Sequence, residues 1–352
     1  MTFFIHRGEP TPLQVGTATR ILRAVAIVAC GPYLAIKVAW VSGSHIGIPA
    51  GSSLLDHRTA MILGNLASVL LDSAVVMLAL LLTQQWGRRV SAWLLIVPVW
   101  VATGLLSPIV LGYPLQLVAR LFGGGSAPTS GGSTRPFLDE WVFTAVYTGF
   151  IVQALALGAL FVSYARSRWG HLWRGLLSAT AGQGATGHAQ RATAVAAAAA
   201  LLAPFALHVA WASGATIGLT SSRVADRTSD FYALEAAYAV LAMLAIVGLL
   251  MIAFPGSSRL PLQLPLSLAF IGPAALACWG AYLMLSGLGN ADASKSLSEL
   301  TDLAYSLQIV AGALVFAMGT YFFAERAARA GHAPRRAADR HPIECASWNA
   351  PS

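Results

Sequence analysis

With 57% hydrophobic residues, 10% charged residues and a mean hydropathy of +0.67 over 352 residues, the chain has too few charges to cover a water-facing surface; soluble domains carry about 25%. Three scattered cysteines, Cys30, Cys278 and Cys345, fit neither a metal-ligand spacing nor a disulfide framework. No Walker A, H-E-x-x-H or G-x-S-x-G segment occurs, which excludes the usual ATPase, zinc peptidase and serine hydrolase, and the net charge of +8 reads as topology and attraction to anionic lipid rather than as a nucleic-acid surface.

Eight apolar stretches follow in chain order, at about 20–42, 59–83, 91–112, 141–164, 192–213, 230–254, 263–287 and 302–324. Each supplies the roughly 20 residues that a helix needs to cross a hydrocarbon core of about 30 Å. The expected fold is all-α: a polytopic membrane protein of eight transmembrane helices, arranged as two parallel four-helix repeats. Residues 1–19 form a cytoplasmic segment without a signal-peptide cleavage pattern, so the first stretch is expected to be retained. Residues 20–164 make the first repeat, with a Gly/Ser-rich outer loop over 123–135. Residues 165–191 make a cytoplasmic linker. Its opening, RSRWGHLWRGLL, sets Trp169, Leu172, Trp173 and Leu176 at helical spacing among arginines, the pattern of a helix lying at the membrane surface. Residues 192–324 make the second repeat, and the basic composition of 325–352 predicts a disordered tail.

The repeat is visible residue by residue. Leu34 to Ile48 reads LAIKVAWVSGSHIGI and Phe205 to Leu219 reads FALHVAWASGATIGL. Lys37 aligns with His208, Trp40 with Trp211 and Gly43 with Gly214; further on, both copies reach an Arg-Thr step, Arg58-Thr59 and Arg227-Thr228. Internal self-similarity decides a fold before any short motif does. An even number of spans per copy brings both copies in from the same side, which makes the repeat parallel about an axis along the membrane normal. Placing both termini in the cytoplasm leaves fifteen basic residues inside and six outside, with Lys37 within a span, as expected of a multi-pass protein of the cell membrane.

Few polar residues interrupt the stretches, and they carry the functional question. An ionisable side chain within a span costs roughly 2.5–3.5 kcal/mol on insertion scales. Lys37 and His208 lie near the outer ends of their spans, where a lysine can snorkel to the headgroups and a histidine can stay neutral and bonded. Trp40 and Trp211, three residues on, suit the interfacial belt. Asn65 lies at the depth of Lys37 and Glu235 at that of His208, which predicts the pairs Lys37–Asn65 and His208–Glu235 in one polar layer; exposure at a helix start is the other reading of Glu235. Asp72 sits mid-span in VLLDSAVVML and cannot snorkel. It must pair, face a wet cavity or hold a proton. If the first span ends near Gly43, Lys37 lies about 12 Å away in depth. The matching stretch of the second repeat, AYAVLAMLAIV, has no acid. Gln153 and Gln308 read as interhelical hydrogen-bond partners, and Gly312 with Gly319 as a close-packing pair. Asp226 and Asp230, spaced D-x-x-x-D, read as a solvated loop, as do Ser52-Ser53 and Asp56-His57-Arg58. No cofactor or metal is expected.

The segment His208-Val209-Ala210-Trp211-Ala212-Ser213-Gly214 resembles the H-x-x-W-A-x-G-G signature of small, uncharacterised actinobacterial integral-membrane proteins with four spans; it lacks the second glycine, and the first copy carries Lys37 in place of the histidine. The resemblance implies a tandem fusion of two such units and brings no activity with it.

Three functions compete. The first is small-molecule binding or transport, or self-protection against a secreted compound, resting on Asp72 and the Lys37/His208 layer. The second is a non-catalytic subunit or scaffold whose basic linker and tail engage a membrane or cytoplasmic protein partner. The third is an enzyme acting on a lipid or quinone at the outer leaflet, with His208 and Glu235 as acid and base. The lipid bilayer is the expected partner in all three.

Overall fold

A computed structural model describes the chain apart from residues 1–15, 51, 53–54, 56–57, 123–137, 181–185, 226, 289–296 and 339–352, with residues 58–60, 67 and 331–338 described as backbone only. Eight long helices account for most of it: α1 (Thr17–Val41), α2 (Arg58–Thr83), α3 (Ala92–Leu121), α4 (Glu140–Trp173), α5 (Gly187–Ala212), α6 (Ser229–Ala253), α7 (Gln263–Leu288) and α8 (Glu299–Ala338). All eight are long and apolar enough to cross a membrane. Among the described residues there is no strand, only an isolated bridge between Leu176 and Pro261. A helix satisfies each backbone N–H and C=O within its own segment, as an apolar solvent would require of a spanning chain.

The helices differ from the expected spans mainly in being longer. α3 runs nine residues past 112, through Pro114, and α8 continues to Ala338, so the first part of the basic tail is helical. α4 runs unbroken to Trp173. The anticipated surface helix is therefore the end of α4, and the linker is reduced to a 3-10 turn at Leu177–Thr180 and the segment before α5. The end of an apolar stretch does not end a helix; only a break in backbone bonding does, and the arginines here are good helix formers. The loop over 123–135, the N-terminal segment to 15, Asp56, His57, Asp226, Cys345 and the end of the tail lie outside the described residues.

Two compact units emerge, Met1–Pro114 with Gly124–Arg168, and Leu115–Gly123 with Trp169–Ser352. In the first, α1 packs on α2. A turn at Gln85–Arg89 fits under α4: a Cβ on Gly87 would meet Leu81 O at 1.8 Å, and the Gly87 carbonyl accepts Tyr164 Oη at 3.0 Å. Arg168 donates from Nη2 to Val90 O at 2.8 Å. The second unit is a ring of neighbours, with α5 on α6, α6 on α7, α7 on α8 and α8 back on α5. Its core gathers Leu201, Ala242, Ala245, Leu249 and Leu276, all fully buried. α6 and α7 approach at two glycines: a Cβ on Gly248 would lie 2.7 Å from Leu268 Cβ, and one on Gly272 would lie 2.6 Å from Leu241 O. Small residues of this kind let backbones touch in lipid, where no hydrophobic gain drives helices together. Gly319, by contrast, faces open space and packs against nothing.

Candidate functional site

The shared sequence folds into the same turn in both units. α1 ends with Gly43 at φ +93°, and α5 with Gly214 at φ +98°, a left-handed position that favours glycine. Ser44 N–H donates to Ala39 O and Gly43 N–H to Trp40 O; Ala215 N–H donates to Ala210 O and Gly214 N–H to Trp211 O. These are the two bonds of a Schellman cap. Each tryptophan then closes the turn beyond it: Trp40 Nε1 donates to Ile46 O at 2.7 Å, and Trp211 Nε1 to Ile217 O at 2.8 Å. Both are buried, so they are internal clasps rather than belt residues facing headgroups. The fold-back ends at Gly47 or Gly218, whose carbonyl meets the start of α4 through Asp139 N–H or of α8 through Thr301 Oγ1. Arg227 explains the Arg-Thr step: its Nη1 donates to Gly214 O at 2.8 Å and holds the cap. The Arg58 side chain lies outside the described residues.

Beneath this turn in the first unit, Lys37 Nζ donates to Asn65 Oδ1 at 2.9 Å. The rings of Tyr33 and Trp40, one turn to either side, each have their centroid 5.0 Å from the ammonium. Lys37 is thus paired and capped by aromatic faces, where snorkelling would have carried it outward. Two turns along α2, on the Asn65 face, stands Asp72. It is 5% exposed, and so is Asn65. α1 stops at Val41, and the Lys37 ammonium goes to Asn65 rather than to Asp72, although the two charges remain within electrostatic reach. Two polar atoms here have no partner among the described residues: Asn65 Nδ2 and Asp72 Oδ2. Nearby, Gln153 Nε2 donates to Cys30 Sγ at 3.2 Å, and Asp72 acts electrostatically on that same thiol.

In the second unit His208 Nδ1 lies 2.5 Å from Glu235 Oε2, the pair that their common depth predicts. Gln308 places its amide nitrogen 2.7 Å from Nε2. An amide nitrogen only donates, so Nε2 accepts and Nδ1 carries the proton given to the carboxylate. Glu235 is buried, not frayed into solvent. Arg223, on the short helix Ser221–Ala225, reaches Tyr305 Oη at 3.5 Å and acts electrostatically on Glu235, giving the acid a counter-charge. Trp211 and Tyr238 pack their rings around the imidazole at 5.4 and 5.2 Å. Asp230 is not a loose loop acid: Arg120 Nη2 donates to its Oδ2 at 2.6 Å.

Sequence reasoning brought together Lys37 with Asn65 and His208 with Glu235. It missed Tyr33, Arg223 and the contact of Gln308 with His208. Tyr33 had a signal, since positions 33, 37 and 40 share one helix face. Arg223 had none, because it arrives on a turn of helix outside the spans. Among the described residues no group of three or more His, Cys, Asp or Glu side chains could hold a metal ion. The chain matches no protein-family model, no curated protein and no solved structure.

Proposed function

We propose that this is a multi-pass protein of the cell membrane that binds a small solute within its first four-helix unit, for transport or for self-protection. In this reading the two units are a tandem duplication inserted in the same sense, with both termini cytoplasmic. The observation that carries the reading is the pair of orphaned polar atoms, Asn65 Nδ2 and Asp72 Oδ2. A buried donor or acceptor left unmade costs about 1–3 kcal/mol, more when charged. A fold retains such a cost where a ligand relieves it. The donor and the acceptor stand about 10 Å apart along one face of α2, two turns at 5.4 Å per turn. A solute that accepts from the amide and donates to the carboxylate, such as a cationic amine that also carries a carbonyl or hydroxyl oxygen, matches both.

The acid–base reading of His208 and Glu235 is weaker for a geometric reason. Both ring nitrogens are already engaged, which leaves none to exchange a proton with a substrate. The test is flux of doxorubicin, a fluorescent cationic amine with carbonyl and hydroxyl acceptors, into liposomes containing the purified full chain, under an imposed pH gradient. Asp72→Asn is expected to abolish the flux and Glu235→Gln to spare it in proportion to folded protein. Flux no greater than in empty liposomes, together with a protein partner that co-purifies stoichiometrically, would replace this reading with that of a non-catalytic membrane subunit.

A further inference from the structure

The opposite end of the second unit holds a different kind of site. A cavity of about 120 Å³ opens where the start of α5, the end of α6, the segment just before α7 and residues 322–329 of α8 meet. That exceeds many-fold the roughly 10–15 Å³ that one water requires. Its floor is apolar, with Ile252, Leu262 and Phe322, and its rim carries Arg191, Arg326 and Arg329.

Each arginine is anchored by part of its guanidinium. Arg191 donates from Nε to Ala253 O at 2.9 Å, the last carbonyl of α6, and stacks 5.5 Å over the Phe254 ring. Arg326 donates from Nε to Leu172 O and from Nη2 to Arg174 O, capping the end of α4. Helix capping accounts for those bonds. It does not account for Arg191 Nη1 and Nη2 or Arg326 Nη1, which have no partner among the described residues. The one acid on the rim is already committed: Glu325 Oε1 accepts the Thr186 N–H at 2.8 Å and the Thr186 hydroxyl at 2.6 Å, and Oε2 takes Arg329. Because Thr186 spends its hydroxyl on Glu325, α5 begins without a side-chain cap. The first-turn amides of α5 therefore take no bond from the Thr186 hydroxyl. A 26-residue helix presents positive potential at that end.

An uncapped helix start, pre-positioned guanidinium donors and an apolar floor together form a receptor for a phosphate group with an apolar appendage. We infer that this cavity binds a phosphate ester, either the headgroup of an anionic phospholipid or a free phosphate compound. Basic pockets between membrane helices take lipid headgroups by this chemistry. The site is independent of Asn65 and Asp72, so its failure would leave the solute reading untouched.

The test is native mass spectrometry of the full chain in detergent with three probes: dihexanoyl-phosphatidylglycerol, dihexanoyl-phosphatidylcholine and inorganic phosphate. Preference for the phosphatidylglycerol, weakened about tenfold by Arg329→Gln, is the expected result, the size of one charge-assisted bond. Arg191→Gln should weaken it as well; Arg329, whose side chain is 42% exposed, is the variant whose folding is safe. Competition by inorganic phosphate at equal concentration would assign the site to free phosphate compounds. Equal binding of the two lipids with no competition by phosphate, or full retention of binding by Arg329→Gln, would overturn the inference.

Discussion

The two units build the same capped turn over unlike polar clusters. In the second, Gln308, His208 and Glu235 form an unbroken chain with Arg223 as counter-charge. In the first, Lys37 and Asn65 satisfy one bond and leave an amide and a carboxylate oxygen orphaned. Around the second cluster, ten residues of α6 are buried, in a core that includes Leu201, Leu249 and Leu276. The cluster under the first turn is Trp40, Ile48 and Val142. The His208 cluster is closed into structure, and the Asn65–Asp72 cluster has kept polar atoms available. The tandem duplication proposed above would allow this division, because a stable copy can carry the fold while its sibling retains groups that cost stability.

The largest test of that contrast removes one acid from each unit. Glu235→Ala strands a buried histidine and its amide partner, and breaking a buried pair costs about 3–5 kcal/mol. Folded yield and melting temperature should fall sharply. Asp72→Asn removes a buried carboxylate whose Oδ2 has no hydrogen-bond partner among the described residues and should leave melting unchanged or raised, since a buried unmet acceptor costs about 1–3 kcal/mol. Equal losses in the two variants would erase the distinction. Next in size is the α6–α7 crossing. Gly272→Leu drives a side chain against Leu241 O and Ala245, and overpacking of this kind costs about 1–3 kcal/mol. Melting curves should register it, whereas Gly319→Leu, which faces open space, should be silent. The smallest effects concern what the units share. Trp40→Phe and Trp211→Phe each delete one indole N–H bond, worth about 1 kcal/mol, and should shift melting by similar amounts. A silent Trp40→Phe beside a costly Trp211→Phe would mean that the turns do unequal work.

Much of this was legible before the structure. The eight helices follow from apolar length, and the pairs Lys37–Asn65 and His208–Glu235 from depth alone, because an extended helix converts residue number into height at a fixed rise. Helix ends were not legible. α4 and α8 run past the expected spans since arginine does not stop a helix, and α3 does so because residues 113–121 (YPLQLVARL) stay largely apolar. The tryptophans misled for a related reason: amphipathic rings near a span end suit headgroups, but a carbonyl presented by the fold-back at Ile46 or Ile217 offered the indole N–H a drier partner. Gly248 and Gly272 were invisible as contacts, since a glycine in an apolar run reveals its neighbour only once two helices cross. Orphaned atoms are likewise a property of placement, and composition cannot announce them.

The most direct measurement compares access to the two clusters. In membranes containing the full chain with Cys30, Cys278 and Cys345 replaced by serine, a cysteine is introduced by Asp72→Cys or by Gln308→Cys, and its reaction with a water-soluble methanethiosulfonate is followed over time. Both native side chains are buried, at 5% and 2% exposure, so burial alone predicts equal inertness. Modification of the Asp72→Cys protein is expected while the Gln308→Cys protein stays unlabelled, because Asn65 and Asp72 leave polar atoms unmet that draw in water or solute, whereas Gln308, His208 and Glu235 bond one another. Inertness of both, or labelling of the Gln308→Cys protein first, would contradict it.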